Sequence, residues 1–146
     1  MSKKIVIVGA LGYLGTELCK LYSGESWFHE IIAVDNRFVS KRVNQLTNWN
    51  IKFYQGHILD KEFIRNILKD ADVVHHLAGI TDVAYVKKES NPEQDENIKK
   101  IAIEGTNNIL NAISQKCKII FPSTHVIYEG FKETKLNLKE KEKPCP

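Results

Sequence analysis

The sequence predicts an α/β fold: a doubly wound parallel sheet of about five strands with helices on both faces. Three observations carry that expectation. Ile5-Val6-Ile7-Val8 is a continuous β-branched apolar run with no polar alternation, the pattern of a strand buried on both faces. It is followed by Leu14, Leu18 and Leu21, spaced i, i+4, i+7 along one face of a helix. The same alternation of short apolar run and amphipathic stretch then recurs to the end of the chain, which implies parallel strands joined by right-handed crossovers.

The first strand ends abruptly at Gly9, and Gly12 and Gly15 follow at three-residue intervals. Strand, glycine turn and helix in that order form the opening of a Rossmann-type dinucleotide-binding βαβ unit. A pyrophosphate has to lie against the first-turn N–H groups of the helix, where unpaired donors and the helix dipole favour an anion. Side chains at the turn would hold it away, so Gly9 and Gly12 serve the turn and the close approach, and Gly15 lets the helix pack on the sheet. Tyr13 and Leu14 open the helix beside the phosphates. The second strand, Ile31–Val34, delivers Asp35 about 20 positions beyond the last glycine, where the dinucleotide fingerprint requires an acidic residue. A carboxylate there accepts the adenosine ribose hydroxyls and repels a 2′-phosphate, so NAD is expected rather than NADP. Asn36 and Arg37 follow it. Arg37, Lys41 and Arg42 complicate that choice, since a nearby cation can accommodate the phosphate. The alternative for Asp35 is an ordinary turn aspartate.

The remaining elements follow in order. Ser23-Gly24-Glu25-Ser26 is a turn, with Trp27 and Phe28 expected to cover the sheet edge. Val39–Leu46 reads as a short helix and Ile51–Tyr54 as the third strand. Asp60 caps a helix whose Phe63, Ile64, Ile67 and Leu68 share a face. Asp72–Leu77 is the fourth strand, broken by Ala78-Gly79. Its tandem His75 and His76 invite a metal reading, but neighbours on a strand point to opposite faces and no third ligand stands at usable spacing. Gly79–Glu96 reads as a long polar loop with Asn91-Pro92 as a turn. Such a loop at the carboxyl end of a strand is where ligands sit in this architecture. A helix over about Glu96–Ser114 carries Ile98, Ile101, Gly105, Ile109, Ala112 and Ile113 on one side, Gly105 marking close packing. Cys117–Phe121 is the fifth strand, and Pro122 to Tyr128 follow it.

The totals narrow the function. At 146 residues the chain supports one domain with a real core. Lys+Arg of 21 against Asp+Glu of 18 gives +3, too mild to argue for nucleic acid. The lysines of Lys132–Lys143 are interleaved with glutamates, as on a solvated surface. Cys19, Cys117 and Cys145 show no metal or disulfide spacing, and the N-terminal apolar run stops after four residues. A reducing cytoplasm, no membrane span and no bound metal are the expectations.

Taken together, these segments resemble the extended short-chain dehydrogenase/reductase family, the NAD-dependent epimerases and dehydratases that act on nucleotide sugars. The resemblance runs along nearly the whole chain: Gly9–Gly15, Val34-Asp35-Asn36, Gln55-Gly56-His57-Ile58, His76-Leu77-Ala78-Gly79, Glu104–Asn108, and Ser123-Thr124 with Tyr128. It implies that His57 and Ile58 lie at the adenine end of the cofactor, and that the segment His76–Gly79, with Leu77, Ala78 and Gly79, lines it beyond the pyrophosphate. It implies a catalytic hydroxyl at Thr124, with Ser123 beside it, and a nucleotide sugar as substrate. A homodimer through the helix after strand four is a further implication.

The departures from the family pattern are specific. His57 stands where the family usually places an aspartate that binds the adenine amino group. Ala102 replaces a frequent asparagine. His125-Val126 follows the threonine where dehydratases carry Asp-Glu, so an epimerase or reductase fits better than a 4,6-dehydratase. The family's Tyr-x-x-x-Lys helix has no true counterpart. Tyr128 and Lys132 match the string literally, but they begin four residues after Thr124, enclose a glycine and match the family's strand-five loop. They are set aside as the acid/base pair. The expectation is therefore a cofactor domain over residues 1–146 of a longer epimerase or reductase, inactive without the part carrying that helix. Two alternatives stand beside it: a stand-alone, non-catalytic dinucleotide-binding or redox-sensing module, and a small enzyme in which Tyr128 and Lys132 do work.

Overall fold

A computed structural model of the chain describes residues 1–80, 92–123 and 139. Five strands form one sheet in the order β3-β2-β1-β4-β5, with every pairing parallel. They are β1 (Lys4–Val8), β2 (Glu30–Asp35), β3 (Lys52–Gln55), β4 (Val73–His76) and β5 (Lys118–Ile120). The Rossmann-type doubly wound sheet expected from the apolar runs is thus the fold observed. Helices α1 (Tyr13–Tyr22), α2 (Ser40–Asn48), α3 (Lys61–Leu68), α4 (Pro92–Lys100) and α5 (Thr106–Ala112) connect the strands, with a π-helical turn, Ile101–Gly105, between the last two.

Burial follows the two-residue period of the strands. Val6, Val8, Ile32, Val34 and Val74 face α3 and α5 and pack with Ile64, Leu68 and Ile109. Ile5, Ile7, Ile31 and Ala33 face the other way, onto Leu11, Cys19 and Leu46. Each of these larger side chains contributes about 1.5–3 kcal/mol by leaving water. Asp60 caps α3 as expected, accepting from the Phe63 N–H at 3.0 Å.

Four expectations need correction. Trp27 and Phe28 cover nothing: they are 81% and 75% exposed, because the turn bonds from Phe28 and His29 to the Glu25 carbonyl put the small Ser26 inward instead. The third strand starts at Lys52; Ile51 is buried ahead of it, its N–H donating to the Leu46 carbonyl. The segment read as loop as far as Glu96 becomes helical at Pro92, since proline is well suited to a first helical position, where no N–H is needed. The single helix expected over Glu96–Ser114 is divided by the π turn, which ends at Gly105. A Cβ there would lie 2.3 Å from Ile58 Cδ1, so the close packing expected of Gly105 is present.

From β1 the chain moves outward to β2 and β3, then returns across to β4 and β5. The crossovers diverge between β1 and β4, and the sheet opens a crevice at their carboxyl ends, the position where ligands bind in this architecture.

Candidate functional site

An open cleft of about 860 Å³ occupies that crevice. Every cofactor residue expected from the sequence lines it: Gly9, Gly12, Tyr13, Leu14 and Gly15 from the first turn, Asp35, Asn36 and Arg37 after β2, His57 and Ile58 after β3, and Leu77, Ala78 and Gly79 after β4.

The first turn is held by backbone. The Gly9 and Ala10 N–H groups both donate to the Val34 carbonyl, at 2.8 and 3.0 Å. Gly9 has φ +89°, and a Cβ on it would meet the Ala78 nitrogen at 2.6 Å. A Cβ on Gly15 would lie 2.3 Å from the Gly9 carbonyl oxygen. Turn, helix and the end of β4 therefore meet with no room for side chains. Gly12 is the N-cap of α1, with no side-chain capping bond and no acidic residue in the first turn. The first turn of α1 thus supplies no anionic side chain of its own to its N–H groups and the positive end of the helix.

Asp35 is 4% exposed, and its carboxylate is held on two sides. The Leu11 N–H donates to Oδ2 at 2.9 Å and the Arg37 N–H to Oδ1 at 3.0 Å. The Arg37 side chain adds Nε to Oδ1 at 3.1 Å and Nη2 to Oδ2 at 3.4 Å. Arg42 reaches the same stretch, donating from Nη1 to the Leu11 carbonyl.

At the far end of this wall, His57 Nδ1 accepts from the Leu59 N–H at 3.1 Å. In the neutral ring that bond assigns the proton to Nε2, so His57 offers a donor where an aspartate would offer acceptors.

The opposite wall is the end of β4, where the Leu77 N–H donates to the Val8 carbonyl at 2.8 Å. The tandem histidines lie on opposite faces, as strand geometry requires. His75 Nε2 is 2.9 Å from Tyr22 Oη, and the rings meet edge to face. His76 Nε2 is 2.9 Å from Thr106 Oγ1, its ring lies tilted against Phe121 at 5.1 Å, and its buried Nδ1 has no protein partner among the described residues. Burial lowers the pKa of both, and for His75 the nearby Lys118 adds to it. No group of three or more metal-ligating side chains occurs among the described residues.

His76, expected to line the cofactor with Leu77, Ala78 and Gly79, lines the cleft too, and Asn97, Ile101, Phe121 and Pro122 join it without being expected there. Asn97 and Phe121 come from distant elements and carry no local signal. Ser123 is exposed at the end of the described segment after β5, while Thr124, Tyr128 and Lys132 lie outside the described residues.

A family model described as the 3-beta hydroxysteroid dehydrogenase/isomerase family matches residues 6–144. The chain belongs to that family, among the extended short-chain dehydrogenases/reductases. This short-chain dehydrogenase/reductase chain is 31% identical over 130 residues to a UDP-N-acetyl-alpha-D-glucosaminuronate decarboxylase of Bacillus cytotoxicus, covering 88% of this chain and 38% of that protein. It is 30% identical over 135 residues to a UDP-glucose 4-epimerase of Neisseria meningitidis, covering 86% and 38%. It therefore spans little more than a third of the length of these relatives. The fold is shared with a UDP-glucose 4-epimerase of Bifidobacterium longum solved with NAD+ and UDP, at a TM-score of 0.75 and 22% identity, covering 97% of this chain and 42% of that one. No helix among the described residues is long and apolar enough to cross a membrane.

Proposed function

We propose that this chain is the NAD-binding portion of a nucleotide-sugar epimerase or reductase of the extended short-chain dehydrogenase/reductase family. The observation that carries the reading is the meeting, in one cleft, of an N-terminal helix end without an acidic cap and a buried carboxylate at the end of the next strand. The donor set fits a dinucleotide. The first-turn N–H groups, with Gly9, Gly12, Tyr13, Leu14 and Gly15 around them, would hold the pyrophosphate. Asp35, flanked by Asn36 and Arg37, would take the adenosine ribose, with His57 and Ile58 beyond it. Leu77, Ala78 and Gly79 would lie along the nicotinamide half. NAD, when bound, supplies the acceptor and donor of a hydride at a sugar carbon. In this chain Thr124, with Ser123 beside it, is assigned to orient the substrate oxygen, as the family resemblance implies. Residues 1–146 would carry the cofactor and not the acid/base helix.

One observation favours a second reading, a non-catalytic dinucleotide-binding or redox-sensing module. His57 presents an N–H where adenine's amino group, itself a donor, has to be met.

Calorimetric titration of the purified chain with NAD+ tests the proposal. Wild type is expected to bind, and Asp35→Ala to bind about tenfold to a hundredfold more weakly, the worth of hydrogen bonds to a charged acceptor. Asp35→Asn, which keeps the side chain's shape beside Leu11, separates lost charge from lost packing. A folded wild type that binds no NAD+ would refute the reading.

A further inference from the structure

Trp27 and Phe28 stand side by side on the turn before β2, both exposed. Single exposed apolar side chains are ordinary, but two adjacent aromatics held outward by a fixed turn form a patch. The Glu25 N–H donates to the Tyr22 carbonyl at 2.9 Å, the Ser26 hydroxyl to the Ser23 carbonyl at 2.9 Å, and Asn50 Nδ2 to the Ser26 carbonyl at 3.3 Å. Both aromatics also line a shallow depression of about 280 Å³, whose walls include Ser2, Asn50 and the Lys52–Glu30 ion pair, 2.6 Å across. Ligand pockets occupy about 300–1,000 Å³, so this one suits a side chain better than a cofactor.

The charges and the position choose the occupant. Lys52 and Glu30 are both exposed in the depression, and Glu25 precedes the aromatics on the turn. An anionic lipid surface calls for clustered lysines without such carboxylates. A second copy suits the mixture, because a two-fold axis through the patch presents Lys52 of each chain to Glu30 of the other. The patch lies at the amino end of β2, a strand length of about 17–20 Å from the carboxyl ends where the cleft opens, so a cover over the cleft leaves it free. Four aromatics, two from each copy, supply about 600–1,000 Å². A standard interface buries about 1,200–2,000 Å², and the walls of the two depressions add to the aromatic share.

We propose that the Trp27–Phe28 turn is a self-association surface, the aromatics of each copy packing across a two-fold axis into the depression of the other. The turn is fixed before association, so little side-chain or loop freedom remains to be lost. This face is separate from α4 and α5, the helices after β4, and the inference does not depend on the dinucleotide reading.

The test is sedimentation equilibrium of the purified chain, with Trp27→Ser, Phe28→Ser and Leu110→Glu variants. Wild type is expected to form a dimer with a Kd of about micromolar or tighter. Trp27→Ser is expected to raise that Kd at least about thirtyfold, as loss of a central aromatic anchor does, and Phe28→Ser about tenfold or more. Both positions are exposed, so the fold is retained, and unchanged urea midpoints verify it. Leu110→Glu, at an exposed position of α5, is expected to leave the Kd unchanged. A wild type that stays monomeric at about 100 µM, tenfold or more above the expected Kd, overturns the assignment. So does a dimer that Trp27→Ser leaves intact, or one that Leu110→Glu dissolves. Co-sedimentation of a monomeric chain with phosphatidylglycerol vesicles, lost in Trp27→Ser, would give the patch to a lipid surface and overturn it as well.

Discussion

Replacing Gly15 by alanine tests whether the glycine turn is held by backbone contact. The new Cβ would stand 2.3 Å from the Gly9 carbonyl oxygen and 2.7 Å from two Ala10 backbone carbons, about 1.1 and 0.7 Å inside an ordinary 3.4 Å contact. Neither obstacle can rotate away. Gly9 is itself pinned, by its bond to Val34 and by the backbone of Leu77 and Ala78, which fills the space where its Cβ would stand. The helix must therefore move outward as a unit. Overpacking of this kind costs about 1–3 kcal/mol, and a rigid obstacle belongs at the upper end. The alanine returns about 1 kcal/mol through helix propensity. The net expectation is a loss of about 2 kcal/mol, or about 4–8 °C in Tm for a chain of this size. Gly105→Ala is the control, because its Cβ would meet the Ile58 side chain, also at 2.3 Å, and a side chain can turn aside. Its loss should stay below about 1 kcal/mol. Urea denaturation with unchanged m-values reads both. A Gly15→Ala protein as stable as wild type would refute the account of the turn.

Further predictions follow from the buried titratable groups. His75 and His76 are held below the ordinary histidine value of 6.5, so the unfolded chain binds more protons than the folded one as pH drops beneath that value. Stability is full above about pH 6.5 and falls as pH is lowered toward the folded values, by at most about 1.4 kcal/mol per pH unit for each histidine. Urea midpoints at pH 7.5 and pH 5 measure the slope, and His75→Gln with His76→Gln should flatten it. The Cys19 thiol is fully buried and pushed up to about 12, whereas Cys117 is only partly buried. Native iodoacetamide labelling at pH 8, read by peptide mass, is expected to modify Cys117 well before Cys19, and equal labelling would show that the α1 face opens in solution.

What the chain states in its linear order is the part built from local rules. Ile5–Val8 of β1 and Ile31–Val34 of β2 are apolar without interruption, because both faces of a central strand are covered, and Gly9, Gly12, Gly15 and Asp35 sit at offsets that one βαβ unit prescribes. The edges were harder to read. β3 is short and largely exposed, so the buried Ile51 ahead of it reads in the sequence as its first residue. The π turn has no local code; it sits where Gly105 meets Ile58, a contact made across the fold. Asn97, Ile101 and Phe121 join the cleft for the same reason, since tertiary folding and not spacing brings them there. Trp27 and Phe28 erred the other way. Their apolarity suggested a cover, while the turn bonds around Glu25 decided which side chain went inside.

The tandem histidines of β4 have a consequence for how the molecule comes apart. Consecutive residues of one strand are tied to the last residue of α1 on one face and the first residue of α5 on the other. The two helical layers share no core, yet each is fastened to the same dipeptide. Loosening either layer tugs on the backbone that anchors the other, so neither can melt as an independent unit. Loss of structure in the described region should run as a single cooperative event, with the amides of β4 among the last to exchange with solvent.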